Sequence, residues 1–358
     1  MSLSVGIVGL PNVGKSTLFN ALTKNRVLAA NYPFATIEPN VGIVNVSDER
    51  LDNLTKISNS EKSIPATCTF VDIAGIVRGA SKGEGLGNKF LSHIRESDVI
   101  AQVVRAFEND DIVHVEGKIN PAQDIEIIRT ELCLADIDSI EKRLTKLQKE
   151  SKVNPKLGSD IAQLNKLLEI LNKSELLSSR VSEIPEIAQD LQLLTTKKFI
   201  YIFNTDEETL SNNTKKSDLQ KLVGDSPAVF LCAQLESELQ DMPATEALEL
   251  LTSLGQKESG VDSLIRLSYS LLGYISYFTS GPKESRAWTI TDGYSAPQAA
   301  GVIHTDFETG FIKAEVVSYE DFAINNGWSG AKDAGKVRLE GKDYLVQDGD
   351  VIVFRFNN

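Results

Sequence analysis

The stretch Gly9-Leu10-Pro11-Asn12-Val13-Gly14-Lys15-Ser16-Thr17 decides the fold of this chain. From Gly9 to Ser16 it fits G-x-x-x-x-G-K-[ST]. An apolar, strand-like run at 5–8 precedes it, and a helix-like run at 17–22 follows. Polyphosphate is clustered negative charge, so a site for it needs several donors converging at close range. A glycine-rich turn lets backbone N–H groups approach the oxygens, the helix N-terminus adds positive potential, and Lys15 adds a mobile cation. The Ser16 hydroxyl is the expected Mg²⁺ ligand. Asn12, Val13, Gly14, Lys15, Ser16 and Thr17 are thereby assigned to nucleotide contact.

A second phosphate element follows at Phe70-Val71-Asp72-Ile73-Ala74-Gly75. Its strand delivers Asp72 to the Mg²⁺ shell, and the Gly75 amide can meet a γ-phosphate. Gly79, Gly83, Gly85 and Gly87 come next, as in a loop that changes conformation with the γ-phosphate. Between the two elements, Thr36 in Tyr32-Pro33-Phe34-Ala35-Thr36-Ile37-Glu38-Pro39 is placed to complete the metal shell.

The chain has 358 residues, long enough for two or three domains of roughly 100–200 residues each. It is 41% hydrophobic and 24% charged, an ordinary globular composition. No apolar run approaches the ~20 residues that span a bilayer, and no secretory leader precedes residues 5–8, so a cytoplasmic protein without a membrane partner is expected. Cys68, Cys133 and Cys232 lie far apart, without zinc-ligand spacing, and read as reduced packing residues. The net charge of −13 opposes nonspecific attraction to phosphate backbones, so any RNA contact must be local, and no DNA reading is expected. The densest basic run, Lys142, Arg143, Lys146, Lys149, Lys152 and Lys156 with Glu150 as its one acid, is the place for such a contact.

Strand-like runs at 5–8, 42–46, 67–72 and 99–106 alternate with helix-like stretches, which predicts an α/β sheet. Ile137, Ile140, Leu144 and Leu147 form a helical stripe. Ile161, Leu164, Leu168 and Leu171 form another, after breakers at Asn154-Pro155 and Gly158. Together they predict an antiparallel hairpin. Strand character returns at 199–203 and 228–232, so the nucleotide domain is expected to be discontinuous. Its pieces are 1–123 and 197–279, with the helical hairpin inserted at 124–196. In 280–358, short strands at 286–290, 310–317 and 351–356 with one helix at 296–304 suggest a β-grasp domain.

These residues resemble the YchF-type Obg-like ATPases, related to the Obg translation GTPases. The resemblance covers the whole chain. It rests on the phosphate loop, on Asn31 to Asn40, on Asp72-Ile73-Ala74-Gly75 and on Lys82-Gly83-Glu84-Gly85-Leu86-Gly87-Asn88. Arg105-Ala106-Phe107-Glu108-Asn109 and Ala296-Pro297-Gln298-Ala299-Ala300-Gly301 add to it. The resemblance implies a Ras-like P-loop NTPase with a coiled-coil insertion and a C-terminal TGS domain, and a ribosome-linked role in translation or stress.

Guanine readers of this class carry N-K-x-D. Here the segment is Asn204-Thr205-Asp206-Glu207, with Thr205 and Glu207 at two discriminating positions. Asn204 and Thr205 are assigned to the base, Asn204 by the bidentate pairing that an amide makes with adenine N6 and N7. This departure matches the family's preference for ATP over GTP. Cys232-Ala233-Gln234 marks the pocket edge. The position that often carries a water-orienting Gln holds Ile76, so slow unaided hydrolysis is expected. Among the histidines His114 is favoured as the catalytic group, ahead of His93 and the remote His304. Arg78 and Arg95 stay open as arginine fingers in cis. Asn12 resembles the asparagine of relatives in which K⁺ takes that charge role, while its more ordinary role is shaping the loop. The competing readings are an Obg-type GTPase and a binding module with a mainly structural nucleotide. A metabolic kinase is a weaker third, since no second-substrate site is apparent.

Overall fold

Val5, Ile7 and Val8 are fully buried in β1 (Ser4–Gly9), the strand that carries the phosphate loop. The computed structural model describes residues 4–23, 40–73, 86–109 and 117–357. With β2 (Asn40–Asn45), β3 (Ser63–Ile64), β4 (Thr67–Asp72), β5 (Val99–Ala106), β6 (Lys198–Thr205) and β7 (Ala228–Leu231), the first half of the strands is complete. All of them except β3 join one sheet in the order β2-β4-β1-β5-β6-β7. β1 pairs in parallel with β4 and β5, β5 with β6, and β6 with β7. Residues 99–105 of β5 and 199–205 of β6 are buried without alternation, the signature of a parallel sheet covered on both faces. The chain builds β2 and β4 on one side of the central strand β1 and β5, β6 and β7 on the other. The carboxyl ends of β1 and β5 therefore flank the switch point where open α/β sheets bind ligands.

Helices α1 (Lys15–Thr23), α2 (Glu49–Ile57) and α3 (Leu86–Glu96) lie between these strands in sequence. Between β5 and β6 the chain makes a helical excursion, α4 (Pro121–Glu150) and α5 (Gly158–Leu171). Asn120 caps α4 by accepting the Gln123 N–H at 3.2 Å, and Pro121 at the helix start loses no hydrogen bond. Ile140, Leu144 and Leu147 of α4 pack with Leu164, Leu167 and Leu171 of α5. The second stripe is thus centred one residue from the expected one, with Leu168 only partly buried. Asp136 is fully buried where the excursion returns, and its carboxylate accepts the N–H of Leu194 (2.9 Å) and both the N–H (2.8 Å) and hydroxyl (2.7 Å) of Thr195. Among the described residues no helix is long and apolar enough to cross a membrane.

The remaining strands are β8 (Tyr274–Ser280), β9 (Ser285–Thr291), β10 (Phe311–Ser318), β11 (Arg338–Glu340) and β12 (Asp350–Phe356). They form a mixed sheet in the order β11-β10-β12-β8-β9-β3. The helix Ala296–Ile303 packs Ala296, Ala299 and Ala300 against Tyr277, Val316 and Ile352 on one face, a β-grasp arrangement.

The chain divides into a unit of Leu3–Ile43 with Thr69–Leu264 and a unit of Val44–Cys68 with Ile265–Asn358. Sequence patterning put 44–68 and 265–279 with the nucleotide domain, and the structure draws the boundary elsewhere for a definite reason. β3 pairs in parallel with β9, Ser63 opposite Ser285, and α2 buries Leu51 and Leu54 against Phe278, Val317 and Val351. Arg50 then locks the segment down. It binds Asp48 and also donates to Asp348 at 2.7 Å, and Asp348 in turn accepts the Ser276 N–H at 2.9 Å.

Candidate functional site

The phosphate loop turns through two left-handed residues, Asn12 at φ 63° and Gly14 at φ 93°. Asn tolerates that region, and at Gly14 glycine is required twice over. The backbone is left-handed there, and a β-carbon would run into the side-chain amide of Asn204. Lys15 opens α1, which is anchored by buried Leu18, Phe19, Ala21 and Leu22, so its N-terminus is fixed against the sheet. The Lys15 ammonium is ion-paired with the Asp72 carboxylate at the end of β4, and both side chains are about one-tenth exposed (12% and 11%). The structure thus brings together Lys15 and Asp72, assigned from two separate motifs. Ser16 and Thr17 are exposed on the same cleft.

That cleft has a volume of about 1130 Å³ and extends from the phosphate loop to the carboxyl ends of β5, β6 and β7. Its far end is formed by Phe107, Glu207 and Cys232 to Gln234. Arg105 explains the position of Phe107. It is 1% exposed, donates to the carbonyls of Phe107 (3.3 Å) and Asn109 (3.0 Å), and lies 4.6 Å from the centre of the Phe107 ring. An aromatic face is so held at the cleft, suited to stacking on a planar base.

The expected bidentate pairing of Asn204 with adenine needs correction. Asn204 is 4% exposed, its amide donates to the Val13 carbonyl at 2.9 Å, and its oxygen accepts the Ala233 N–H at 2.9 Å. Both ends of the side chain are spent on protein, so it acts as a strut joining the phosphate loop to the pocket edge. Thr205 is 1% exposed and gives its hydroxyl to the Leu231 carbonyl at 3.2 Å, which makes it part of the wall too. Asp206 caps the helix Glu207–Ser211 by accepting the Thr209 N–H at 2.7 Å. Glu207 and Glu208 are the exposed carboxylates of this segment on the cleft, and Glu208 is ion-paired with Lys215. Sequence reasoning gave no role to Phe107, Arg105 or Glu207. The first two stood in the quoted motif Arg105 to Asn109, and Glu207 in the altered base motif.

Thr36, Gly75, Ile76, Arg78 and His114 lie outside the described residues. His93 sits half-buried on α3, its Nδ1 shielded from solvent and without a hydrogen-bond partner among the described residues. The Arg95 Nε is likewise buried and unpaired. His304 is a structural cap, its Nδ1 accepting the Asp306 N–H at 3.2 Å in the C-terminal unit. Burial raises the Cys232 thiol above its ordinary value and pushes Cys133 up to about 12, so neither is a ready nucleophile. Among the described residues no cluster of three His, Cys, Asp or Glu side chains exists to hold a metal unaided. What the phosphate loop and the end of β4 do offer is the Ser16 hydroxyl, on the cleft, and the Asp72 carboxylate, ion-paired with Lys15. These hard oxygen donors suit Mg²⁺, an ion that keeps several waters and takes its remaining ligands from phosphate.

Two family models match the chain. One, described as a 50S ribosome-binding GTPase, covers residues 4–205, and YchF-GTPase_C, described as a protein of unknown function, covers 274–357. Proteins named ribosome-binding ATPase YchF are 53% identical in Haemophilus ducreyi and 51% identical in Bacillus subtilis, each alignment covering 100% of both chains. The solved YchF GTPase of Schizosaccharomyces pombe superimposes with a TM-score of 0.84 at 38% identity, covering 99% of this chain and 98% of that one. A GTP-binding protein from Pyrococcus horikoshii, at 19% identity and a TM-score of 0.62, shares the fold.

Proposed function

The chain belongs to the YchF family of P-loop nucleotide hydrolases, and from that premise we propose that it is a Mg²⁺-dependent ATP hydrolase whose nucleotide state governs its association with the ribosome. The observation that carries this reading is the cleft lined by Lys15 and Ser16 at the N-terminus of α1 and by Phe107 after β5, with Lys15 ion-paired to Asp72. Lys15 and Asp72 neutralise each other in the protein alone. A polyphosphate would give the ammonium a better partner, and the Asp72 carboxylate, with Ser16 and in our reading Thr36, would hold Mg²⁺. When bound, the ion neutralises charge developing on the transferred phosphoryl group. The backbone N–H groups of Asn12 to Thr17, with Gly75, hold the phosphates in place, and Phe107 orients the base by stacking.

Ile76 offers nothing to orient water, so we assign that work to His114, a group able to position or accept a proton near neutral pH. His114→Ala should lower turnover with ATP affinity kept. If His93→Ala alone did so, the assignment would move to His93. Asn12, left-handed at φ 63°, is given the role of shaping the loop, with a K⁺-linked charge role as its second reading. Turnover that is equal in Na⁺ and K⁺ would remove it.

The relatives' names supply the ribosome as partner and ATP as substrate, and a cytoplasmic place of work follows from the partner. The division of labour we propose sets the helical insertion 124–196 and the TGS-like part 280–358 to contact the ribosome, while the P-loop domain sets the timing. ATP preference is supported by the loss of N-K-x-D at Thr205 and Glu207, with GTP the weaker ligand. Calorimetric titration should give at least tenfold tighter ATP than GTP, about 1.4 kcal/mol. Equal affinities would restore the Obg-type GTPase. Multiple-turnover assays with and without ribosomes separate a hydrolase from a module whose nucleotide is structural.

A further inference from the structure

We infer that the tip of the α4–α5 hairpin is a docking surface for the phosphate backbone of RNA, an inference that rests on the ribosome reading and names the chemistry of the contact. α4 ends at Glu150 and α5 begins at Gly158, with a short 3₁₀ turn, Pro155–Leu157, between them. Lys146, Lys149, Lys152 and Lys156 are exposed around this turn, and among the described residues none has an ion-pair partner. Lys142, one turn further back, is committed to Asp138 at 2.5 Å and so falls outside the free set.

The lysines stand on a rigid support. Leu144 and Leu147 of α4 pack into the hairpin core with Leu164 and Leu167 of α5, and the Asn154 side chain closes the turn by accepting the Lys156 N–H at 3.2 Å. Val153, 90% exposed, projects at the apex. Lys142, Lys146 and Lys149 recur at steps of four and three, so they share a helix face at a rise of about 1.5 Å per residue. Like charges at this spacing destabilise a helix by a few tenths of a kcal/mol. Attraction to the helix dipole offsets that only in the last turn, at Lys149. Lys146 and the lysines beyond the helix gain nothing comparable from the fold. Free cations gathered at the end of a rod, in a chain of net charge −13, are what a polyanion engages while the rest of the surface repels it.

The test uses the full chain with Lys146, Lys149 and Lys152 changed together to Glu, and a second triple variant with all three changed to Gln. The Gln set guards against damage from acids at a helix C-terminus. Pelleting with ribosomes is measured across a salt series, beside binding to protein-free ribosomal RNA and nucleotide titration. The proposal expects either variant to lose at least tenfold in affinity for both ribosomes and RNA and to flatten the log–log salt slope by about 2–3, with nucleotide affinity unchanged. Wild-type protein that fails to pellet would overturn the ribosome reading itself. Variants that pellet like wild type with the same slope would overturn the tip assignment and leave the ribosome reading standing. Loss of ribosome pelleting with no RNA binding by wild type would make the partner an acidic protein surface and overturn the RNA assignment.

Discussion

The side-chain amide of Asn204 donates to the carbonyl of Val13 at 2.9 Å, joining residues 191 positions apart in the chain. Its oxygen holds the Ala233 N–H at the same distance, so one side chain fixes the phosphate loop against the edge of the base pocket. Two such bonds are worth about 1–3 kcal/mol together. Asn204→Ala should therefore weaken ATP and GTP binding alike, by about tenfold or more in calorimetric titration. A loss confined to ATP would mean that Asn204 reads the base after all.

Lys15→Ala should cut turnover at least hundredfold, about 2.7 kcal/mol, because the ammonium faces the position where phosphoryl charge develops. Ser16→Ala should do likewise. Both side chains line the cleft and not the core, so both variants should stay folded: Ser16→Ala should move chemical denaturation by no more than about 1 kcal/mol, and Lys15→Ala by more, since it leaves the mostly buried Asp72 carboxylate without its ion-pair partner. Unfolding of either variant would show that the loop is a structural element first.

The phosphate loop was legible in the sequence because its function depends on backbone spacing over nine consecutive residues, and Gly14 and Lys15 need no distant partner to be recognised. β5 was legible end to end for a similar reason, since a central strand writes its burial as one apolar run, and β4 through the alternation of buried Cys68 and Phe70 with half-buried neighbours. The role of Asn204 was not, because the partners that consume its amide come from β1's loop and from β7's exit. The placement of α2 and β3 was hidden as well. β3 has two residues, and the apolar stripe of Leu51 and Leu54 says that α2 has a covered face without saying which sheet, more than 200 residues later, does the covering.

Acid should weaken the C-terminal unit through Glu315. Burial alone raises this carboxyl, but Arg355, donating to it at 3.0 and 2.9 Å, and Lys332 at 3.4 Å more than reverse that and hold it below the ordinary glutamate range. A carboxylate with a lowered folded value contributes stability above its unfolded value, about 4.3, and loses it as pH falls through the folded value. Trp288 and Trp328, the chain's two tryptophans, both lie in this unit, so their fluorescence follows its unfolding. Denaturation series from pH 6 to pH 3 should show midpoints falling with pH, and Glu315→Gln should flatten that fall. An equally steep fall in the variant would place the effect in other carboxylates.

The final prediction concerns where the C-terminal unit begins. The family model that matches this part covers 274–357, and a fragment cut to that plan would lack α2. In the structure α2 presses Leu51 and Leu54 onto Phe278, Val317, Val351 and Phe322, all four of them fully buried. A fragment of 265–358 alone would open that apolar face to water and leave β9 without its β3 neighbour. It would also release Asp348 from Arg50. Exposed faces of this kind drive self-association. The fragment should therefore bind 1-anilinonaphthalene-8-sulfonate, show poorly dispersed amide resonances and elute as aggregates. Joining 44–68 to it through a flexible linker should restore a dispersed spectrum and a monomer. In the full chain, Leu54→Ala should lower the tryptophan-reported stability by about 2–5 kcal/mol, the cost of a cavity at a fully buried leucine. A well-dispersed, monomeric 265–358 fragment would show that the β-grasp sheet closes without α2 and that Arg50 fastens a segment the unit can spare.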